Sequence, residues 1–258
     1  MPKFAANLTM MFNEVPFLQR FAAAAKAGFT AVEFLFPYES DVQQLARCLS
    51  ENHLQNVLFN LPPGDWLAGE RGLAALPGRE EEFKASVALA LEYARVLGTP
   101  RLHVMAGIVP DGISRPHCLE TYCKNIDYAA KELGQYGIDL MIEPINPRDM
   151  PGYLLNSQAE AHAIRKMLGR DNLKVQMDFY HAQIVEGDLS TSLTNNLDGI
   201  GHIQIASVPA RNEPDDGEIN YPYLFALLDK LGYQGWVGCE YRPRGKTEDG
   251  LGWLPKSV

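Results

Sequence analysis

The sequence predicts an α/β fold, a single (β/α)8 TIM barrel over residues 1–258. Short apolar segments rich in β-forming residues alternate with longer segments of helical period, which is typical of repeated βα units around a parallel sheet. There are eight such strand segments, and the length of 258 residues is close to the roughly 250 of a typical barrel. A doubly wound sheet is the alternative, and the lack of a glycine-rich phosphate turn after the first strand disfavours it.

The strand and helix segments follow one another in regular order. Strands are chosen for β-formers in short apolar segments, and helices for apolar residues spaced three and four apart. The predicted strands are 4–8, 31–36, 56–60, 101–107, 139–145, 173–180, 200–206 and 235–241. The predicted helices are 17–28, 41–53, 79–98, 118–137, 157–170, a weaker one at 188–198, and 221–233.

Helix ends carry recognisable signals. Ser40 with Gln43, and Ser157 with Glu160, have the spacing of capping boxes at helix N-termini. Gly98 stands where the third helix should end. These signals predict the helix boundaries more firmly than periodicity alone does.

Two long insertions follow predicted strands. Residues 60–79 come after the third strand and residues 207–222 after the seventh, and both are rich in glycine and proline. Loops after barrel strands lie on the face where barrel enzymes carry out chemistry, so we expect both insertions near a site. The alternative is two ordered surface loops without a chemical role.

Composition limits the partners. The formal net charge of -9 argues against a surface that neutralises nucleic-acid phosphates or anionic lipid. No targeting segment or membrane span is evident, so we expect a cytoplasmic protein with a small-molecule partner and no nucleic-acid or membrane partner. Its four cysteines form no CxxC pair, which indicates neither a disulfide framework nor a zinc-thiolate site.

Four polar side chains stand near the ends of the last four predicted strands. Buried charges are costly unless they share a partner, and inward side chains on adjacent strands converge at the barrel mouth. Oxygen donors suit Mg²⁺ or Mn²⁺ better than Zn²⁺, so we predict a divalent metal site. A salt-bridged structural role is the alternative for any one carboxylate, but the joint pattern favours a metal or catalytic site. The four residues are Glu143, Asp178, Gln204 and Glu240.

The sequence resembles the hydroxypyruvate isomerase family, which belongs to the xylose-isomerase-like barrels. The resemblance extends over nearly the whole chain and is clearest in MIEPIN (141–146), MDFYHAQ (177–183), HIQIA (202–206), RNEPDDGEINY (211–221) and GCEYRPRG (238–245). It implies a metal-assisted isomerase that acts on a small carboxylate-bearing hydroxy-keto acid.

The resemblance also assigns roles to residues. By motif match, Glu143 and Glu240 are the proton acceptor and donor, while Asp178 and Gln204 complete the metal ligands. Related ketose epimerases usually have histidine where this chain has Gln204. Substrate contacts are implied for His181, through a hydrogen bond to a substrate oxygen, and for Arg211, whose guanidinium suits a carboxylate. The alternatives are a packing histidine and a solvated loop arginine.

Four further residues are weaker candidates for substrate binding. Glu70 and Arg71, in the insertion 60–79, are placed to close over a ligand, with Trp66 excluding water. Asn7 and His103 end or line earlier strands and would complete a polar pocket. A lone histidine in a strand is more often a satisfied structural residue, which is the alternative for His103.

The implied chemistry moves a proton between neighbouring carbons through an enediolate. One group removes a proton and another delivers one, and a divalent cation stabilises the developing charge. No nucleotide cofactor, redox cofactor or covalent nucleophile is needed.

The sequence is compatible with more than one substrate and more than one function. Hydroxypyruvate, interconverted with tartronate semialdehyde, is the first candidate, and a four-carbon 2-oxo-tetronate is the alternative. A ketose 3-epimerase, an abasic-site endonuclease and a non-catalytic barrel that binds a sugar acid are less favoured. The sequence also leaves open whether the protein forms a homo-oligomer.

Overall fold

The strands form a closed parallel barrel. The computed structural model describes residues 1–254. Each strand pairs with the next, and β8 pairs with β1 to close the ring, so the predicted (β/α)8 fold is confirmed. The strands are β1 Lys3–Asn7, β2 Ala31–Phe34, β3 Gln55–Asn60, β4 Arg101–Val104, β5 Asp139–Ile142, β6 Leu173–Asp178, β7 Ile200–Ile205 and β8 Trp236–Cys239.

Helices connect the strands on the outside of the barrel. The α-helices are α1 Phe17–Lys26, α2 Val42–Glu51, α3 Glu80–Leu97, α4 Arg115–Gly134, α5 Gln158–Leu168, α6 Phe179–Val185, α7 Leu189–Asn196 and α8 Tyr221–Leu231. Short 3-10 helices cover Leu197–Gly199 and Thr247–Trp253. None of the helices within residues 1–254 combines the length and apolarity needed to cross a bilayer.

Most strands end earlier than predicted. The clearest case is the predicted strand 173–180, which ends at Asp178 because that side chain accepts a hydrogen bond of 2.8 Å from the backbone N–H of Tyr180 and starts α6. The aromatic residues Phe179 and Tyr180 have high strand propensity, and the local cap overrides it. The chain therefore turns into a helix directly at the site.

One of the two predicted capping boxes is wrong in position. Ser157 does cap α5, accepting from the N–H of Glu160 at 3.2 Å. At α2 the cap is Asp41, whose carboxylate accepts from the N–H of Gln44 at 2.9 Å, so Ser40 lies one residue outside the helix. Asp and Ser are both good N-caps, and spacing alone could not choose between neighbours.

The main apolar core lies between the barrel and its helices, and a separate small cluster fills part of the barrel interior. That cluster contains Ala5, Val57 and Met141. Elsewhere in the barrel a glycine makes room for a charge, because a Cβ at Gly238 would collide with the carboxylate of Glu33. The interior is thus partly apolar and partly polar, and the polar part supports the site described next.

Candidate active site

The last four strands bring the four predicted metal ligands to the same end of the barrel. Glu143 directly follows β5, Asp178 ends β6, Gln204 lies in β7, and Glu240 directly follows β8. Asp178 is the register partner of Gln204 on the neighbouring strand. All four side chains are buried, with exposed fractions of at most 7%. The predicted convergence therefore holds.

A cavity of about 350 Å³ opens above these residues. We call it the mouth cavity. Of the predicted site residues, Asp178, Gln204, Asn7 and Glu70 do not line it. The lining residues are Met10, Leu35, Asn60, Trp66, Arg71, His103, Met105, Glu143, Ile145, Asp149, Met150, His181, Arg211, Glu240 and Arg242.

The carboxyl groups at the floor of the mouth cavity are strongly perturbed. Burial, followed by the charges of Glu240 and Asp178, raises the pKa of Glu143 well above its ordinary value. Burial raises the pKa of Glu240 to about 8 and that of Asp178 to about 6, although the charge of Arg211 opposes both shifts. Three acids so placed favour a positive partner or retained protons.

The donor set fits a hard divalent cation. One ligand atom each from Glu143, Asp178 and His181 lies within 4.8 Å of the others. Within residues 1–254, Glu143 Oε1 and Asp178 Oδ2 are buried and accept no hydrogen bond. Buried carboxylate oxygens without a donor are costly, and Mg²⁺ or Mn²⁺ would satisfy them.

Gln204 has a fixed amide orientation. Its Nε2 donates to Glu33 Oε1 at 2.7 Å, and its Oε1 accepts from Gln176 Nε2 at 2.7 Å. An amide oxygen has two lone pairs, so one stays available to a cation. The amide of Gln204 thus depends on Glu33 for its orientation.

Arg211 lies among the acids with its charge already compensated. Its Nη2 is 2.7 Å from Glu240 Oε2 and 3.6 Å from Asp178 Oδ2, and its Nη1 is 3.3 Å from Asp149 Oδ2. The guanidinium also stacks over Tyr180, 4.7 Å from the ring centroid. Arg211 is therefore positioned as the counterion of Glu240 when that carboxyl is ionised.

The two histidines of the mouth cavity are neutral. Burial lowers the pKa of His181 well below its ordinary value and that of His103 to about 3. The backbone N–H of Asn146 donates to His181 Nδ1 at 3.3 Å, and Arg211 Nη2 lies 3.4 Å from His181 Nε2. His181 Nε2 also lies 3.6 Å from Asp178 Oδ2, so this nitrogen faces the acids at the floor.

His103 lies beside Glu143, one member of the predicted acid–base pair. Its Nε2 lies 3.4 Å from Glu143 Oε2, and it makes no hydrogen bond within residues 1–254. Asn7 reaches the other glutamate, because its Nδ2 is 3.0 Å from Glu33 Oε1 and 3.2 Å from Glu240 Oε1. Asn7 thus lies behind Glu240, whereas His103 lines the mouth cavity.

The two candidate residues of the insertion 60–79 point in different directions. Glu70 turns to Arg79, with Arg79 Nη2 3.2 Å from Glu70 Oε2. Arg71 points into the mouth cavity and stacks over Trp66, 3.8 Å from the ring centroid. Only Arg71 of this pair is placed to contact a ligand.

A buried polar network beneath the site was missed from the sequence. Glu33, on β2, accepts from Gln204 and Asn7, and its Oε2 lies 2.6 Å from His202 Nε2. Glu33 and His202 have exposed fractions of 0%. A glutamate within the apolar segment 31–36 was the available signal, since an unpaired charge there would be costly.

A protein-family model matches most of the chain. The model described as "Xylose isomerase-like TIM barrel" matches residues 21–257. The chain belongs to this family. The predicted resemblance is therefore confirmed, and Glu143, Asp178, Gln204 and Glu240 all lie in the region that the family model matches.

Individual relatives are similar over nearly the full length. A 2-oxo-tetronate isomerase from Cupriavidus necator is 59% identical, and the hydroxypyruvate isomerase of Escherichia coli is 48% identical, each alignment covering 98% of both chains. A crystal structure described as "AP endonuclease, family 2 from Brucella melitensis" is 56% identical, with a TM-score of 0.97 and 98% of both chains covered.

Proposed function

We propose that this protein is an isomerase that moves a proton between neighbouring carbons of a small, carboxylate-bearing hydroxy-keto acid through an enediolate. The observation that carries the proposal is the pair of buried glutamates, Glu143 and Glu240, which line one cavity of about 350 Å³ from β5 and β8. The reaction needs one proton acceptor and one proton donor, and the two carboxyls supply both.

The pKa values of Glu143 and Glu240 suit one proton acceptor and one proton donor. The pKa of Glu240 is about 8, and that of Glu143 is raised partly by the charge of Glu240. Two acids that oppose each other's ionisation favour a state with one ionised and one protonated. The ionised group takes the C–H proton, and the protonated group delivers a proton to the adjacent carbon.

We further propose that Glu143, Asp178, Gln204 and Glu240 hold a divalent cation, Mg²⁺ or Mn²⁺. When bound, such a cation would stabilise the negative charge on the two enediolate oxygens. The hydrogen moves as a proton, so the proposal requires no nucleotide or redox cofactor.

Other residues of the mouth cavity bind the substrate in this proposal. His181 makes a hydrogen bond to a substrate oxygen through Nε2, since its Nδ1 is already bound by the N–H of Asn146. Trp66 lines the cavity and is 37% exposed, so it can cover a bound ligand and exclude water. Arg211 holds Glu240 in place for the proton transfer.

The four-carbon substrate is the stronger of the two candidates. Three relatives named 2-oxo-tetronate isomerase are 53–59% identical to this chain, compared with 48% for the Escherichia coli hydroxypyruvate isomerase. We therefore propose 2-oxo-tetronate first and hydroxypyruvate second. Both acids place the carboxylate next to the reacting carbons, so one site geometry serves either.

NMR in D₂O tests the proposal directly. The purified protein is incubated with 2-oxo-tetronate or hydroxypyruvate, each with Mg²⁺, Mn²⁺ or EDTA, and product and deuterium exchange are followed. We expect turnover of at least one acid, with the preferred acid naming the substrate. No product and no exchange with any metal would contradict the proposal.

Matched variants test the two-carboxylate mechanism. Glu143→Gln and Glu240→Gln should each lower the rate by at least the ~10²-fold typical of a lost general acid or base. Glu92→Gln, on the exposed face of α3, is the control and should leave the rate unchanged. Full turnover by either active-site variant would show that the mechanism is wrong.

An abasic-site endonuclease is the second candidate, because the structural relative from Brucella melitensis is described as an AP endonuclease. The net charge of -9 opposes DNA binding. Fluorescence anisotropy of a duplex with one abasic site, at low and high salt, discriminates the two. Binding that weakens steeply with salt would favour the endonuclease.

A further inference from the structure

The mouth cavity contains three arginines, and their charges are not equally compensated. Arg211 pairs with Glu240, Asp178 and Asp149 as described above. Arg71 and Arg242 line the same cavity, and neither forms an ion pair within residues 1–254. An uncompensated cation beside buried acids is a binding feature for an anion.

Arg71 is held in place without being neutralised. Its Nη1 donates to the carbonyl oxygens of Trp66 at 3.0 Å and Glu70 at 2.7 Å, while the guanidinium stacks on the Trp66 ring. The adjacent carboxylate of Glu70 is bound by Arg79 and by the N–H of Asp65 at 2.5 Å. Arg71 therefore keeps its Nε and Nη2 donors for a ligand.

Arg242 lies in the segment after β8 and lines the mouth cavity. Its backbone N–H donates to the carbonyl of Arg211 at 2.8 Å, and its own carbonyl accepts from Asn212 Nδ2 at 2.7 Å. The backbone is thus fixed, while the side chain is exposed and lines both the mouth cavity and a neighbouring cavity near Thr9. Arg242 is not among the residues that the sequence indicated.

We propose that Arg71 and Arg242 form the subsite for the substrate carboxylate, and that Arg211 does not. The inference rests on the proposed function and names the group that recognises its substrate class. An acid that enters the mouth cavity meets Glu143 and Glu240, and the charge of the one that is ionised repels it. Two guanidinium groups with free donors offset that repulsion and match a carboxylate in shape.

Arg211 is unsuited to the same role because its guanidinium already lies beside the carboxyl groups of Glu240, Asp178 and Asp149. If Arg211 turned to a substrate carboxylate, it would leave Glu240, 2.7 Å away, buried and unpaired. Arg71 and Arg242 can bind an anion without breaking any ion pair. The subsite is thus built from the insertion 60–79 and the segment after β8, which line the same cavity.

Kinetics with a charged and a neutral substrate test the subsite. Arg71→Met and Arg242→Met remove the charge and keep most of the side-chain length. Each should raise KM for the acid that the wild type turns over by about 10- to 100-fold, as expected for a lost charge-assisted hydrogen bond, with little change in kcat. Dihydroxyacetone has a hydroxymethyl group in place of the carboxylate of hydroxypyruvate, and its deuterium exchange should be unaffected.

Control variants separate charge from fold. Arg71→Lys and Arg242→Lys keep the charge and should recover part of the affinity. Arg47→Met, on the exposed face of α2, should leave KM unchanged. An unchanged KM for the acid in either methionine variant, or an equal loss with dihydroxyacetone, would overturn the subsite.

Calorimetry separates this inference from the proposed function. Glycolate, a small carboxylate, is titrated into the wild type and both methionine variants in EDTA. Saturable binding by the wild type that weakens about 10-fold or more in each variant supports the subsite even if neither acid is isomerised. Absence of binding by the wild type, or equal binding by the variants, refutes the subsite. Failure of isomerisation alone refutes the proposed function.

Discussion

Removal of the Arg211 charge should shift the ionisation of Glu240 to higher pH. The Arg211→Met variant deletes a cation 2.7 Å from Glu240 Oε2 and 3.6 Å from Asp178 Oδ2. Both carboxyls are buried, so neither can replace the lost partner with bulk water. The ionised form of Glu240 loses stabilisation, and its pKa rises.

The size of the shift follows from the separation. Two unit charges about 4 Å apart at an effective dielectric constant of about 20 interact by about 4 kcal/mol. One pH unit corresponds to about 1.4 kcal/mol, so the full interaction is worth about three pH units, and relaxation around the methionine reduces this. From a pKa of about 8 we expect an increase of at least about one pH unit.

The pH dependence of kcat/KM, measured by deuterium exchange, reports ionisations of the free enzyme. The limb that reports Glu240 should move to higher pH in Arg211→Met, whether Glu240 acts as base or as acid. Arg211→Lys keeps the charge and should stay closer to the wild type. A profile of Arg211→Met that superimposes on the wild-type profile would refute the role of Arg211 as the counterion of Glu240.

Glu33→Gln should weaken Mn²⁺ binding by about 10- to 100-fold, because Glu33 orients the amide of Gln204. Electron paramagnetic resonance of free Mn²⁺ measures this affinity, and an unchanged value would exclude that role of Glu33. In EDTA, Tm should fall as the pH is raised from about 5 to about 8. Folded Glu240, with a pKa of about 8, keeps a proton that the unfolded chain releases near pH 4.5. A Tm that rises over this pH range in scanning calorimetry would contradict this sign. Gly238→Ala should lower the free energy of unfolding by about 1–3 kcal/mol in urea titrations, because its Cβ would strike Glu33, whereas the control Gly252→Ala meets open space.

The strand pattern was sufficient to predict the barrel and the convergence of Glu143, Asp178, Gln204 and Glu240 at one end of it. Parallel strands in a closed barrel bring their C-terminal ends to one face, so Glu143 and Glu240 line one cavity although their sequence numbers differ by 97. Local signals were less decisive. The cap at Asp178 converted two strand-forming aromatic residues into α6, because one side-chain hydrogen bond outweighed propensity.

The sequence by itself determined the fold class, the end of the barrel that carries the site, and the residue types available there. Only the tertiary structure decided which side chains pair: Arg211 with Glu240, Glu70 with Arg79, and Glu33 with His202. Periodicity specifies the face on which a residue lies, but an ion pair depends on distances of a few ångströms between segments remote in sequence and on their shared burial. The resemblance implied that Arg211 binds the carboxylate, and only the packing showed that Arg211 lies beside Glu240, whereas Arg71 and Arg242 form no ion pair within residues 1–254.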